Sequence, residues 1–185
     1  EIVGFLLEKG IDVNQQDEYG WTALITASRN GHKEIVKMLL QNENIQIHMK
    51  DNEIPDGTKY IRKASPIVIA SDVGNPGIVE ALILKRANVN DTDNNGLTSL
   101  MKASIYGNID VIKLLLSTGI DIHIKSNNNA TAILYASLHS EKESIQLLLS
   151  KGASIYDKTI FGSSCVDVTF NNKIKSIFEK WPITM

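Results

Sequence analysis

The feature that most constrains this chain is a fixed period. The tetrads Ser65-Pro66-Ile67-Val68, Thr98-Ser99-Leu100-Met101, Thr131-Ala132-Ile133-Leu134 and Ser164-Cys165-Val166-Asp167 begin 33 residues apart, and Thr22-Ala23-Leu24-Ile25 precedes the first of them by 43. Five residues after each start stands Ala27, Ala70, Ala103, Ala136 or Thr169. Four further on come Gly31, Gly74, Gly107, Ser140 and Lys173, and then the apolar pairs Leu39-Leu40, Leu82-Ile83, Leu115-Leu116 and Leu148-Leu149. Units close with segments such as Gly10-Ile11-Asp12-Val13-Asn14 and Gly119-Ile120-Asp121-Ile122-His123. A unit this short cannot bury an apolar face by itself, so it must stack on its neighbours.

Each feature has a physical reason. A Thr or Ser hydroxyl can accept from the N–H groups left over at a helix start, so Thr22, Ser65, Thr98, Thr131 and Ser164 mark the first helix of successive units. Pro66 follows its cap, where a missing N–H costs nothing. The small alanine lets that helix lie close against its neighbour. Gly31, Gly74 and Gly107 suit the positive φ that ends a helix and turns the chain back. Ile35, Val36, Leu39 and Leu40 then recur at helical spacing and predict a second, longer helix. An extended turn follows, with Gly20, Gly96 or Gly162 near its tip; Asn129 holds that place in one unit, as the best non-glycine there. The unit reads as cap, short helix, tight turn, longer helix and protruding turn, which makes the chain all-α.

These residues and this period resemble the ankyrin repeat over essentially the whole chain. A tetratricopeptide unit runs to about 34 residues with a different aromatic pattern, and HEAT units are longer. The resemblance implies an ankyrin-repeat solenoid of stacked helix-turn-helix units with protruding β-turn or hairpin loops. There are departures from it. The family motif Thr-Pro-Leu-His has no histidine here, because Ile25, Val68, Met101, Leu134 and Asp167 stand in its place. The hydrogen bond that histidine makes is therefore absent, and side-chain packing must compensate in the middle units. Cys165 falls where the family has proline, which implies a half-buried thiol. Ser164 and Asp167 instead have the spacing of a capping box.

The chain divides into a partial unit at 1–16, a unit at 17–50, one at 51–92 with an inserted loop at 52–64, units at 93–125 and 126–158, and a C-terminal capping unit at 159–185. Glu1 to Leu7 match a second helix without its first, so Ile2, Val3, Leu6 and Leu7 are expected to meet further repeats before residue 1 or another partner. The last unit gains Asn171, Asn172, Lys173, Lys175 and Lys180 and ends at Trp181-Pro182, as a cap would. Of the ten residues that lengthen the first interval, one lies near Asn42 to Asn44, where Asn44 is expected to replace the turn glycine. The other nine lengthen the turn after Asp51, with Pro55-Asp56-Gly57 as a turn signal. This insertion reads either as part of a binding face or as a neutral loop, since extra loop length costs little.

Composition narrows the function classes. A net charge of −2 gives no electrostatic case for nucleic acid or an anionic membrane. No apolar run approaches the roughly 18–20 residues of a membrane span, so no membrane insertion is expected. With Cys165 alone no internal disulfide can form, which fits an intracellular compartment, cytoplasmic or nuclear. The 16 Lys against 3 Arg read as the codon usage of an AT-rich genome, which keeps secretion as an effector open. His32, His48, His123 and His139 fall in separate units without ligand spacing, so no metal is expected. Gly162-Ser163-Ser164-Cys165 lacks the second glycine and the preceding strand of a nucleophile elbow. No catalytic residue and no cofactor is assigned, and the chain reads as no enzyme.

The resemblance implies that a partner protein or peptide meets the concave face, built from turn tips and the inner side of the first helices. Carried over position by position, that face holds Tyr19, Trp21 and Arg29 in the first complete unit and Asp72 beside the insertion. It continues with Asn95, Leu97, Ile105 and Tyr106, then Asn128, Leu138 and His139, with Ile160 and Phe161 in the last unit. Trp and Tyr are frequent binding hot spots, although part of the Trp21 ring is equally readable as packing on the next turn. A monomer is expected. The competing reading is a structural or regulatory segment docked in cis within a larger, possibly enzymatic or effector, protein.

Overall fold

The structure, a computed structural model, describes residues 2–52 and 63–181. After α1 (Ile2–Glu8) come helix pairs in strict succession: α2 (Ala23–Arg29) with α3 (Lys33–Gln41), and α4 (Pro66–Val73) with α5 (Pro76–Leu84). The chain continues with α6 (Ser99–Ile105) and α7 (Ile109–Ser117), α8 (Ala132–Leu138) and α9 (Lys142–Ser150), and α10 (Cys165–Val168) and α11 (Asn172–Lys180). First helices pack on first helices, and second helices form a second layer behind them. The result is the expected helical solenoid. Among the described residues the turns hold no strand, only an isolated antiparallel bridge between Thr92 and Thr98.

The helix starts follow the capping logic in part. The hydroxyl of Thr22 accepts from the Ile25 N–H and that of Thr98 from the Met101 N–H, each at 3.2 Å. Ser65 and Thr131 occupy the same place but make no such bond. In the last unit the Asp167 carboxylate accepts from the Ser164 N–H at 2.8 Å and from its hydroxyl at 2.6 Å, completing the predicted box. The tight turns need the left-handed region: Gly107 has φ +64° and Ser140, at the equivalent place, takes φ +62° without being glycine. Asn129 adopts φ +59° as expected. Asn44 does not take the left-handed role expected of it. The second helix ends instead at an extended Asn42, whose side-chain carbonyl accepts from the Asn44 N–H at 2.9 Å, an Asx turn that needs no positive φ.

Packing explains the alanine. Ala70, Ala103 and Ala136 have no exposed surface, because a neighbouring first helix lies directly over them. Thr169 holds that place in the last unit and is kept from being an unpaired buried group by donating to the Ser137 carbonyl at 2.7 Å. After each alanine comes a serine that the sequence reading passed over. Ser71, Ser104 and Ser137 are fully buried, and each donates to the carbonyl one turn back at 2.7–2.8 Å. The residues in the histidine position, Ile25, Val68, Met101 and Leu134, are at most 2% exposed, so packing does replace the missing bond.

Polar staples join successive turns. The Asn14 amide donates to the Asn44 carbonyl and accepts from the Gln46 N–H, both at 2.8 Å, while Asn90 accepts from the Asp121 N–H at 3.2 Å. Turn tips are tied by backbone bonds from Asn52 to Tyr19, Asn127 to Asn95 and Ile160 to Asn128, at 2.9–3.0 Å. The ion pairs Lys50–Asp91 and Lys125–Asp157 span the same interval. Of the inserted loop, Pro55-Asp56-Gly57 lies outside the described residues; Asp51 at its base accepts from the Ala64 N–H at 2.6 Å. Helix α1 has no buried residue, and Ile2, Phe5 and Leu6 are exposed.

Gly107→Val is expected to cost about 2 kcal/mol or more, since it forces a branched side chain into the left-handed region and its Cβ onto the Glu141 carboxylate. Lys173→Ala should change stability by less than about 0.5 kcal/mol, and Ser140→Gly should gain up to about 1 kcal/mol. Urea unfolding midpoints of the three variants test this ordering. The bonds from Ser164 hold the fully exposed Asp167 carboxyl below its ordinary value of 3.8. Its contribution to the last unit is therefore complete above that value and is lost as pH falls through the lower, folded one. Amide protection factors at the start of α10, which are corrected for the intrinsic pH dependence of exchange, should fall on acidification in the wild type and be low and nearly independent of pH in Asp167→Asn.

Candidate functional site

The inner faces of the first helices and the turn tips form one surface, and the structure distributes the predicted residues along it in three groups. In the first, Asp17 Oδ1 accepts from the Tyr19 N–H at 2.9 Å and the Trp21 N–H at 2.8 Å, which shapes the turn that carries both rings. The two rings lie 6.1 Å apart and are tilted at 51°. Arg29, from the end of α2, sets its guanidinium 4.9 Å from the Trp21 ring centroid, a cation–π distance. Tyr19 is exposed, whereas Trp21 is half-buried and packs on the core. The packing expected of part of the Trp21 ring is therefore present, with Arg29 over the ring.

The middle group contains a residue the sequence reading missed. Lys102 of α6 is only 5% exposed, and its ammonium lies 2.9 Å from Asp93 Oδ2 and 3.8 Å from Asp72 Oδ1. The other oxygen of Asp93 accepts from the Asn95 and Leu97 N–H groups at 2.9 Å each. One carboxylate thereby holds the turn tip in shape and ties it to the first helix. The signal was available in the period, since Lys102 stands at the place of Ile69 and Tyr135, which line the same face. Asp72 faces this pair from the preceding unit. Asn95 and Tyr106 are exposed, whereas Leu97 and Ile105 are half-buried.

The third group lies at the C-terminal end. Asn128, Leu138 and His139 are exposed, and Ile160 and Phe161 extend from the next turn tip. Between α8 and that turn is a cleft of ≈ 120 Å³ walled by Leu134, Tyr135, Leu138 and Val168. Tyr135 and Val168 were not among the predicted residues, although the position they share with Lys102 would have pointed to them. The Tyr135 hydroxyl sits 3.0 Å from Ser126 Oγ, which also accepts from the Ala130 N–H.

The chemistry elsewhere is quiet. Cys165 is fully buried rather than half-buried, because α8 closes over it through the Thr169–Ser137 contact. Burial is the main cause that pushes its thiol up to about 11, so little thiolate forms at neutral pH. Among the described residues no group of three His, Cys, Asp or Glu side chains is arranged to hold a metal ion. Among the same residues no helix is long and apolar enough to cross a membrane.

Removing the Lys102 ammonium leaves two carboxylates facing each other under low exposure. Lys102→Ala is therefore expected to cost about 3 kcal/mol, as is usual for one half of a buried pair. Lys102→Met combined with Asp93→Asn should cost clearly less than the sum of the two single changes. A double-mutant cycle from urea unfolding measures that coupling.

A family model described as ankyrin repeats (3 copies) matches residues 67–159, and another, ankyrin repeats (many copies), matches residues 1–40. Glycerophosphocholine phosphodiesterase gde1 of Schizosaccharomyces pombe is 32% identical over 104 residues, which is 56% of this chain and 8% of that protein. Protein fem-1 homolog CG6966 of Drosophila melanogaster is 35% identical over 79 residues, 43% of this chain and 12% of its own length. E3 ubiquitin-protein ligase XBAT33 of Arabidopsis thaliana is 58% identical over 40 residues, 22% of this chain and 8% of that protein. The chain spans no more than 12% of the length of any of the three. Two family models covering most of a chain of stacked helix pairs lead to one conclusion: this chain belongs to the ankyrin repeat family.

Proposed function

We propose that the chain recognises a partner protein or peptide across its concave face and carries out no chemistry of its own. The observation that carries this reading is the side-chain inventory of that face. Tyr19, Tyr106 and Leu138 hold 45%, 56% and 50% of their surface in water on rigid elements, while the core is satisfied without them. Arg29 on Trp21 and the Lys102 cluster add fixed charge between these apolar groups, which suits orientation more than affinity. Asn95, Asn128 and His139 supply adaptable polar contacts, and Leu97 and Ile105 add apolar area beneath them. The units bounded by sequence from 17–50 to 159–185 each contribute to the face. The partner is a protein rather than nucleic acid or membrane, in keeping with the net charge of −2. The chain acts as a monomer in the cytoplasm or nucleus.

A second reading rests on the small share of each relative that the chain spans. It is that the array docks in cis as a regulatory segment of a larger protein, as the enzymatic names of two of those relatives suggest. One experiment separates the two. Tyr19→Ala/Tyr106→Ala, verified as folded, is compared with the wild type for partners captured from lysate. Loss of a hot-spot side chain costs about 2 kcal/mol, so the variant should bind a concave-face partner roughly thirtyfold more weakly or worse. Equal retention by both proteins would refute the concave-face mapping, and the absence of any partner would favour docking in cis.

A further inference from the structure

We infer that the cleft between α8 and the last turn tip is a specificity pocket for one aliphatic side chain of an extended partner segment. The inference deepens the concave-face reading and rests on it. Three observations select this occupant. The first is charge: none of the side chains lining the cleft carries a formal charge at neutral pH. A charged side chain entering it would lose hydration with no counter-charge to meet it. The groove on the second-helix side differs, being flanked by Lys33, Lys37, Glu80 and Lys85.

The second observation is size and rigidity. An apolar cavity of about 150 Å³ accepts a benzene ring, so a cleft of ≈ 120 Å³ suits Leu, Ile or Val and is too small for an indole. Its floor, Leu134, is 2% exposed, and the Tyr135 ring is fixed through its hydroxyl at Ser126. The walls therefore need little reordering on binding, which keeps the entropic cost low. Leu138 and Phe161 stand at the rim 50% and 85% exposed, leaving apolar area that an entering side chain would cover.

The third observation is the polar group at the mouth. The Asn128 carbonyl already accepts from the Ile160 N–H at 3.0 Å, which holds the two turn tips together. Its exposed side-chain amide offers one acceptor and two donors beside the cleft. An extended segment has peptide groups available to meet that amide, whereas a helix has used most of its own. Side chain in the cleft and backbone on Asn128 together define a register along the concave face.

The test is to pan a random linear-peptide library against the full chain. Selected peptides are then measured on the wild type, on Leu138→Lys and Phe161→Ser, and on Tyr19→Ala/Tyr106→Ala. Both rim substitutions are at exposed positions, and their folding is checked by thermal unfolding. The expected result is a shared Leu, Ile or Val at one position of the selected peptides. Changing that residue to Ala, or Leu138 to Lys, should weaken binding about tenfold or more. The inference is overturned if the selected peptides share no aliphatic position, if no binder is recovered, or if binders hold both rim variants as tightly as the wild type. In the last case, weakening by Tyr19→Ala/Tyr106→Ala would leave the concave-face reading standing, and equal binding to every variant would remove both.

Discussion

Everything in this molecule depends on the close approach of first helices to one another. Each unit supplies too little apolar surface to form a core alone, so its stability comes from the interfaces on either side. The alanine in the first helices α2, α4, α6 and α8 sets the distance, and in α4, α6 and α8 the buried serine beside it satisfies its own hydroxyl within the helix. A larger side chain at the alanine would push neighbouring units apart, and a serine without its carbonyl would leave a buried donor unpaired. Thr169 shows the alternative solution, a larger polar residue kept at the interface by a bond to the preceding unit.

Against this apolar stack the turns are held by polar geometry. An Asp or a hydroxyl at the base of each tip collects the N–H groups of the turn, and Asn14 and Asn90 reach to the next unit. Lys102 joins the two systems, because the carboxylate that shapes its turn is also its counter-ion. A buried ammonium is costly unless it is paired, so its presence on the inner face fixes how the turn tip sits relative to the helix. The turn tips and the inner sides of the first helices are consequently tied to each other by both systems.

That surface is uneven. At one end aromatic rings and an arginine stack on each other; in the middle a charged cluster is largely desolvated; at the other end an uncharged cleft opens beside exposed leucine and phenylalanine. On the reading proposed above, a partner matching both ends would be bound in one direction only, since reversing it would bring the group that faces Arg29 onto the uncharged cleft.

The period, the alanine positions and the turn glycines were enough to define the stacked helix pairs, because local capping and 3.6-residue spacing act within a single unit. Asn129 in the left-handed region and the Ser164–Asp167 box were legible for the same reason, as their partners lie within a few residues. Asn44 was misjudged because an Asx turn satisfies the same chain reversal without positive φ. The burial of Cys165 depended on how closely α8 packs over the last unit. Local rules do not report the neighbours of Lys102 and Tyr135, since Asp93 and Ser126 stand nine residues away across a turn and Asp72 comes from the preceding unit. The sequence by itself determined the units and their order of stacking, because those follow from short-range hydrogen bonding and apolar spacing. Only the tertiary structure decided which inner-face residues are buried, paired or left in water, because environments such as the Lys102 cluster and the C-terminal cleft are assembled from two units at once.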